Sequence, residues 1–219
     1  MDNINYDYIK EYINSLIKDD DKEFEDFRQD CLANKRPIIQ REVAQFMNVC
    51  LNMSKPKRIL EIGTNVGYSS MYMCKALGGN VKITSIELNT EVAMLARENI
   101  KKFGYENCIT VINDDASEAL DSLGVAKLDK KFDFVFIDAS KSHYDDFFEK
   151  ALRIVADDAV IMCDNALYKG LIANDDLVVK RKRTIVRKMR DFLADVSKDE
   201  RFVTSLIPIG DGVALIKVK

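Results

Sequence analysis

A single histidine in 219 residues leaves almost nothing from which to build an imidazole metal site. The cysteines do not supply one either. Cys31, Cys50, Cys74, Cys108 and Cys163 are scattered in apolar settings with no CxxC pair, as expected for reduced thiols of a cytoplasmic protein. No apolar run approaches the ~20 residues of a membrane span. The first stretch, MDNINYDYIKEYINSL, is polar and acidic from its second residue, unlike a signal peptide. Internal repeats, low-complexity linkers and a GxGxxG fingerprint are also missing. Positive charge is not in excess: the formal net charge is −3, so any nucleic-acid contact must use a local patch. What is present suits one large soluble unit, with 47% hydrophobic residues for a core and 32% charged residues for a surface.

The pattern divides near residue 54. Residues 1–54 read as a helical layer. Tyr8, Ile9, Tyr12, Ile13 and Leu16 recur at helical spacing, Phe24, Phe27 and Cys31 follow, and after Pro37 a third helix, QREVAQFMNVCLNM, completes it. Residues 55–219 alternate strand and helix. The strands are RILEIG, VKITSIE, CITVIN, FDFVFID and AVIMCD. The helices between them are GYSSMYMCKAL, NTEVAMLARENIKKFG (capped by Asn89 or Thr90), SEALDSLG and YDDFFEKALRIV. This rhythm predicts a mostly parallel sheet with helices on both faces. Residues 166–179 read as loop, KRKRTIVRKMRDFLADV as a helix, and RFVTSLIPIGDGVALIKVK as an antiparallel hairpin around Gly210–Gly212. Met47, Met53, Met71 and Met73 sit on apolar stripes and are expected in the core.

Chemistry-bearing residues gather at predicted carboxyl ends of strands, the edge where open α/β sheets bind ligands. In LEIGTNVGYSS, Gly63 ends a strand and Gly67 opens a helix, so backbone can approach a ligand closely. Glu61, just before the turn, suits the cationic end of a cofactor without phosphates. Glu87 ends the second strand, where a ribose diol is gripped in nucleoside-binding folds, although a helix-start carboxylate is the alternative. Asp115 and Ala116 follow the third strand, where an adenine edge would lie, with Asp114 as a candidate helix cap. Asp138 ends FDFVFID, and Asp164–Asn165 end AVIMCDN. Each of these three can be a strand-terminating turn residue. Together they form a set of hard oxygen donors suited to Mg²⁺ or Ca²⁺. Lys141 follows Asp138 by three positions. His143, beside it, reads better as a helix-start residue than as a catalyst. Residues 180–190 hold seven cations (Lys180, Arg181, Lys182, Arg183, Arg187, Lys188 and Arg190) and no acid. Such a run is a solvated helix face or a phosphate-contacting patch.

ILEIGTNVGYSS, IELN, DDA, FVFIDASK and DNALYKGL together resemble the cation-dependent O-methyltransferases, the group of catechol and caffeoyl-CoA methyltransferases. The resemblance covers residues 37–219. KPKRILEIGT, NIKKFG, KRKRTIVRKMRDF and PIGDGVALI bring it nearest a bacterial branch acting on 5-hydroxyuridine in tRNA. It implies a single methyltransferase domain over residues 1–219. Its fold would be a Rossmann-like methyltransferase fold with a mostly parallel seven-stranded sheet, ending in the antiparallel C-terminal hairpin. It implies S-adenosylmethionine as methyl donor, with Ile39, Glu61, Gly63, Gly67, Ser69, Glu87, Asp115, Ala116 and Asp138 around it. It implies Mg²⁺ or another divalent cation on Asp138, Asp164 and Asn165. Lys141 matches a lysine proposed as general base, and here it follows DAS where the animal catechol enzymes have a bulkier pair. A homodimer is also implied.

The expected reaction is in-line methyl transfer to an oxygen anion, with the cation lowering the hydroxyl's pKa. The favoured acceptor is 5-hydroxyuridine at the tRNA wobble position, whose phosphates Lys180, Arg181, Lys182, Arg183 and Arg187 would contact. A small catechol-like phenol offers the same pair of adjacent oxygens and is the alternative. A non-catalytic RNA-binding protein on the same fold is a third reading, disfavoured by the intact donor trio. A nicotinamide-dependent dehydrogenase is a fourth, disfavoured by the absent GxGxxG.

Overall fold

The computed structural model describes residues 4–126 and 131–219. Residues 1–3 of the expected helical layer lie outside them. Seven strands form one sheet in the order β3-β2-β1-β4-β5-β7-β6. They are β1 (Arg58–Ile62), β2 (Lys82–Glu87), β3 (Ile109–Asn113), β4 (Phe132–Ile137), β5 (Val155–Asp164), β6 (Phe202–Ile207) and β7 (Val213–Val218). β1 to β5 pair in parallel, and β7 inserts antiparallel between β5 and β6, as the hairpin signal predicts.

Side-chain alternation sends successive strand residues to opposite faces. Phe134, Phe136, Ile59 and Met162 pack on one face with α2 (Lys22–Ala33), α3 (Arg41–Ser54), α4 (Tyr68–Ala76) and α5 (Thr90–Lys102). Val135, Ile137, Leu60, Ile161 and Cys163 pack on the other with α6 (Ala116–Val125), α7 (Tyr144–Leu152) and α8 (Arg183–Lys198). Because both faces are covered, the central strands lose the polar alternation of a half-exposed strand. α8 shows the helical equivalent. Val186, Met189, Phe192, Leu193 and Val196 are buried at spacings of three, three, one and three, one stripe of a helix.

Several local expectations need correction. α1 (Asp7–Ser15) forms, but only Ile9 and Ile13 turn inward, while Tyr8, Tyr12 and Leu16 are exposed. Met53 is 80% exposed on the last turn of α3, whereas Met47, Met71 and Met73 are buried. The cap of α6 is Asp115, whose carboxylate accepts from the N–H groups of Ser117 and Glu118; Asp114 instead accepts from Asp115 N–H. Asn89, not Thr90, caps α5 by accepting from Val92 N–H. α7 stops at Leu152, and β5 starts earlier than expected because a register shift against β4 accommodates residues 155–159. Residues 166–179 contain two 3-10 turns, and a third, Lys180–Lys182, precedes α8.

The β1–α4 turn is close-packed. Gly63 adopts φ +105°, and a Cβ there would overlap the carbonyl of Asp138 on the neighbouring strand. Gly78, at φ +62°, has open space around it. Gly63→Ala is expected to cost ~3 kcal/mol or more, from backbone strain plus overlap with a rigid carbonyl. Gly78→Ala is expected to cost only the strain, about 1 kcal/mol. Urea melts of the two variants check this, and equal losses would contradict the packing argument.

Candidate active site

One cavity of about 900 Å³ opens along the carboxyl ends of β1, β2, β4 and β5. Its wall brings together Gly63, Glu87, Asp115, Ala116, Asp138, Lys141, Asp164 and Asn165, residues spread over more than a hundred positions. Strand register is what gathers them. Ile62 pairs with Ile86 and with Ile137, and Ile137 pairs with Cys163, so Gly63, Glu87, Asp138 and Asp164 all emerge on one edge.

At one end Glu87 is fixed by two backbone donors, Asn65 N–H and Asn89 N–H, each at 2.9 Å. Asn65 sits at φ 47°, a left-handed conformation that Asn tolerates better than most residues, and its side chain donates to Pro37 O at 2.6 Å. Apolar groups from Ile38, Ile86, Leu88 and Val92 complete this part of the wall. The result is an apolar slot with a carboxylate anchored at one side, which suits a nucleoside.

At the other end stand the two carboxylates. Asp164 is 2% exposed, and one oxygen accepts from Asn165 N–H at 2.7 Å. Burial, and then the charge of Asp138, push its carboxyl up to about 7. Asp138 is also raised, chiefly by burial, against the lowering influence of Lys141, whose Nζ lies 3.7 Å away. Asp211, from the β6–β7 turn, adds a further negative charge to the same wall. Tyr144 Oη donates to the backbone carbonyls of Asp164, at 2.7 Å, and Ile137, bracing the two strand ends from behind. Asn165 stands at φ 55°, so the chain turns sharply straight after the second carboxylate.

Two like charges in a half-dry wall, with one lysine between several acids, form a site that a small hard cation would relieve. Among the described residues no group of three or more His, Cys, Asp or Glu is assembled as a metal set; Asn165 brings a carboxamide to the same wall. Two carboxylates, a carboxamide and space for water fit Mg²⁺ chemistry and do not fit a soft metal.

Other expected residues lie elsewhere. Glu61 is fully buried behind the cavity floor, where the hydroxyls of Ser69, Ser70 and Ser85 donate to it. Ser69, so engaged, is not among the residues lining the cavity. Gly67 caps α4 at φ 84° and packs against Ile100. Ile39 is buried, although its neighbours Pro37, Ile38 and Gln40 line the wall. The basic run lies on the 3-10 turn before α8 and on α8 itself, outside the lining. His143 does line the cavity, with Nδ1 3.0 Å from Ser142 Oγ. The lining residues missed from sequence include Asn65, inside the Gly63–Gly67 loop, and Asp211, between the two hairpin glycines. Both stood within segments already singled out.

Comparison with known proteins bears on this edge. A family model described as O-methyltransferase matches residues 15–219. A caffeoyl-CoA O-methyltransferase of Populus kitakamiensis is 33% identical over 175 residues, covering 79% of this chain and 74% of that protein. An O-methyltransferase of Bacillus cereus, solved in complex with SAH (S-adenosylhomocysteine), superposes with a TM-score of 0.84 at 25% identity, covering 97% of each chain. A Staphylococcus aureus structure, solved as a candidate caffeoyl-CoA O-methyltransferase, gives 0.88 at 28% identity, covering 97% of this chain and 100% of that one.

The buried acids predict a pH dependence. Burial pushes Glu61 from an ordinary 4.5 up to about 7, and Asp164 shifts the same way to about 7. Between the ordinary and raised values the fold holds protons that the unfolded chain has released, so stability falls as pH rises through this window. Urea midpoints of cofactor-free protein in EDTA are expected to drop from pH 5 to pH 8. Glu61→Gln is expected to flatten that slope. A slope unchanged by the substitution would contradict the assignment of Glu61.

Proposed function

The chain belongs to the O-methyltransferase family, and on that premise we propose that it transfers the methyl group of S-adenosylmethionine to an acceptor hydroxyl with the help of a divalent cation. The carrying observation is the shared wall of Asp138, Asp164, Asn165 and Lys141 beside the slot anchored by Glu87. Gly63, Glu87, Asp115 and Ala116 would hold the cofactor, which supplies an electrophilic methyl carbon. Asp138, Asp164 and Asn165 would hold the cation, which when bound acidifies and orients the acceptor hydroxyl.

The chain's own groups then have defined tasks. Glu87, immobilised by two N–H donors, grips a diol. Asn65 ties that carboxylate to the 37–40 segment and so fixes the width of the slot. Ile86, Val92 and Phe147 exclude water from the line of transfer. Lys141, which is ion-paired with Asp138 at rest, would release its own proton to solvent when a cation is held beside it, and its Nζ would then take up the acceptor's proton and pair with Asp138 again. Positioning and charge stabilisation account for most of the acceleration in such a displacement.

The acceptor we favour is 5-hydroxyuridine of tRNA, whose 5-hydroxyl and 4-carbonyl present two adjacent oxygens. Support comes from Lys180, Arg181, Arg183 and Arg187, four exposed cations without a side-chain bond among the described residues, in a chain of net charge −3. A small catechol-like phenol is the second reading, favoured by the curated relatives named for caffeoyl-CoA. A homodimer belongs to the same proposal, and the exposed Tyr8, Tyr12 and Leu16 of α1 supply apolar surface for it. Among the described residues no helix is long and apolar enough to cross a membrane.

Labelled S-adenosylmethionine, supplied with Mg²⁺ or EDTA to hypomodified tRNA and to a catechol panel, tests the proposal. Mg²⁺-dependent transfer to tRNA is expected. Transfer that ignores EDTA sinks the cation, and transfer to catechols alone removes the RNA reading. Reversing charge at Arg181 and Arg183 together is expected to raise the KM for tRNA about tenfold at moderate salt and to flatten its salt dependence. Unchanged tRNA turnover would make the patch a solvated face.

A further inference from the structure

The seven cations of residues 180–190 do not form one set. Lys180, Arg181, Arg183 and Arg187 project into solvent. The other three turn back onto the protein. Lys182 Nζ donates to Tyr168 Oη and lies 5.1 Å from the centre of its ring. Arg190 donates from Nε to Ile172 O at 2.8 Å, from Nη2 to Leu171 O at 3.4 Å, and pairs through Nη1 with Asp175 at 2.7 Å. Lys188 Nζ donates to Ser142 O at 2.9 Å.

The Lys188 bond bears on the active site. Ser142 is the middle residue of the 3-10 turn Lys141–His143, which carries Lys141 into the cavity. The other hydrogen bonds of residues 140–143 are local: His143 N–H to Ser140 O, Ser140 Oγ with Ser142 Oγ, Ser142 Oγ with His143 Nδ1, and Lys141 Nζ to Ala139 O. Among the described residues, Lys188 gives the one hydrogen bond that reaches this stretch from another element. A three-residue 3-10 turn has poor internal bond geometry and little stability of its own. A charge-assisted donor on a half-buried stem is a strong external tie for it. α8 in turn is seated on the core by Val186, Met189 and Phe192.

We propose that Lys188 is a positioning residue: through the Ser142 carbonyl it fixes the turn that aims Lys141 Nζ at the reacting oxygen. This rests on Lys141 acting at the acceptor end of the cavity, as in the function proposed above. It separates the basic run by role. The outward cations meet the acceptor's phosphates, and Lys188 sets the geometry of the catalytic turn for any acceptor. Misplacement by about 1 Å at a reacting group can cost 100-fold in rate.

The experiment uses the full chain with Lys188→Met, Lys188→Gln and Lys188→Arg, and whichever acceptor the wild type methylates. For Lys188→Met and Lys188→Gln, kcat is expected to fall 10- to 100-fold, with KM for acceptor and for S-adenosylmethionine within about twofold. Lys188→Arg, which keeps a charged donor, is expected to recover most of kcat. A second readout needs no acceptor and no cofactor. Trace acylation of the free protein, followed by mass spectrometry, compares the labelling of Lys141 with that of exposed Lys55. The ratio is expected to change by several-fold in the Met and Gln variants and to return in the Arg variant. A raised KM with kcat intact would instead place Lys188 among the acceptor-binding cations and overturn the proposal. Unchanged kinetics with an unchanged labelling ratio would overturn it too. Should Lys188→Met fail to fold, the Gln and Arg variants carry the same comparison. Absence of any transfer by the wild type would contradict the proposed function, whereas the labelling ratio tests Lys188 by itself.

Discussion

The constraint on which the site depends is the parallel register that sets Ile137 beside Cys163. The next residue of each strand is an aspartate, so the fold forces two carboxylates to emerge together from a dry interior. Burial holds both above the ordinary carboxylate range, with the charge of Asp138 adding to the rise at Asp164 and that of Asp211 to the rise at Asp138. Much of the surrounding structure answers that juxtaposition. Tyr144 braces the two strand ends through their carbonyls. Lys141 supplies the nearby positive charge. Asn165 turns the chain in a left-handed conformation so that β5 ends at the cavity. The same register, continued to β1, sets the Asp138 carbonyl against Gly63, which is why that position has no room for a side chain.

The other end of the cavity follows from β1 and β2 in the same way. Glu87 leaves β2 opposite the Gly63 turn, and the backbone N–H of Asn65 reaches it across the gap. The slot anchored by Glu87 and the carboxylate wall of Asp138 and Asp164 are thus parts of one edge, separated by the width of two strands. The family match assigns the chain to the O-methyltransferases, and the proposed reaction uses both ends at once.

Strand ends were legible in the sequence because apolar runs closed by acidic or amide residues have few other uses. The alternation of strand and helix carried the sheet, and Gly210–Gly212 carried the antiparallel hairpin. What escaped was decided by contacts between distant segments. Asp211 reads as a turn residue, and only the pairing of β7 beside β5 brings it to the Asp138 edge. Glu61 reads as a cofactor contact, yet three serines from two elements draw it under the floor. The basic run reads as one patch, since spacing alone does not show that Lys182, Lys188 and Arg190 bend back to carbonyls and a phenol. Periodicity likewise placed Tyr8, Tyr12, Leu16 and Met53 on apolar stripes, but α1 turns only Ile9 and Ile13 of its stripe inward, and Met53 sits on the last, exposed turn of α3.

The central claim is that Asp138, Asp164 and Asn165 form a divalent-cation site. Mn²⁺ added to the purified protein and followed by electron paramagnetic resonance measures this directly, because bound ion leaves the free-ion signal. The wild type is expected to remove one equivalent, and folded Asp164→Ala to remove almost none. One equivalent bound with unchanged affinity by Asp164→Ala would contradict the account.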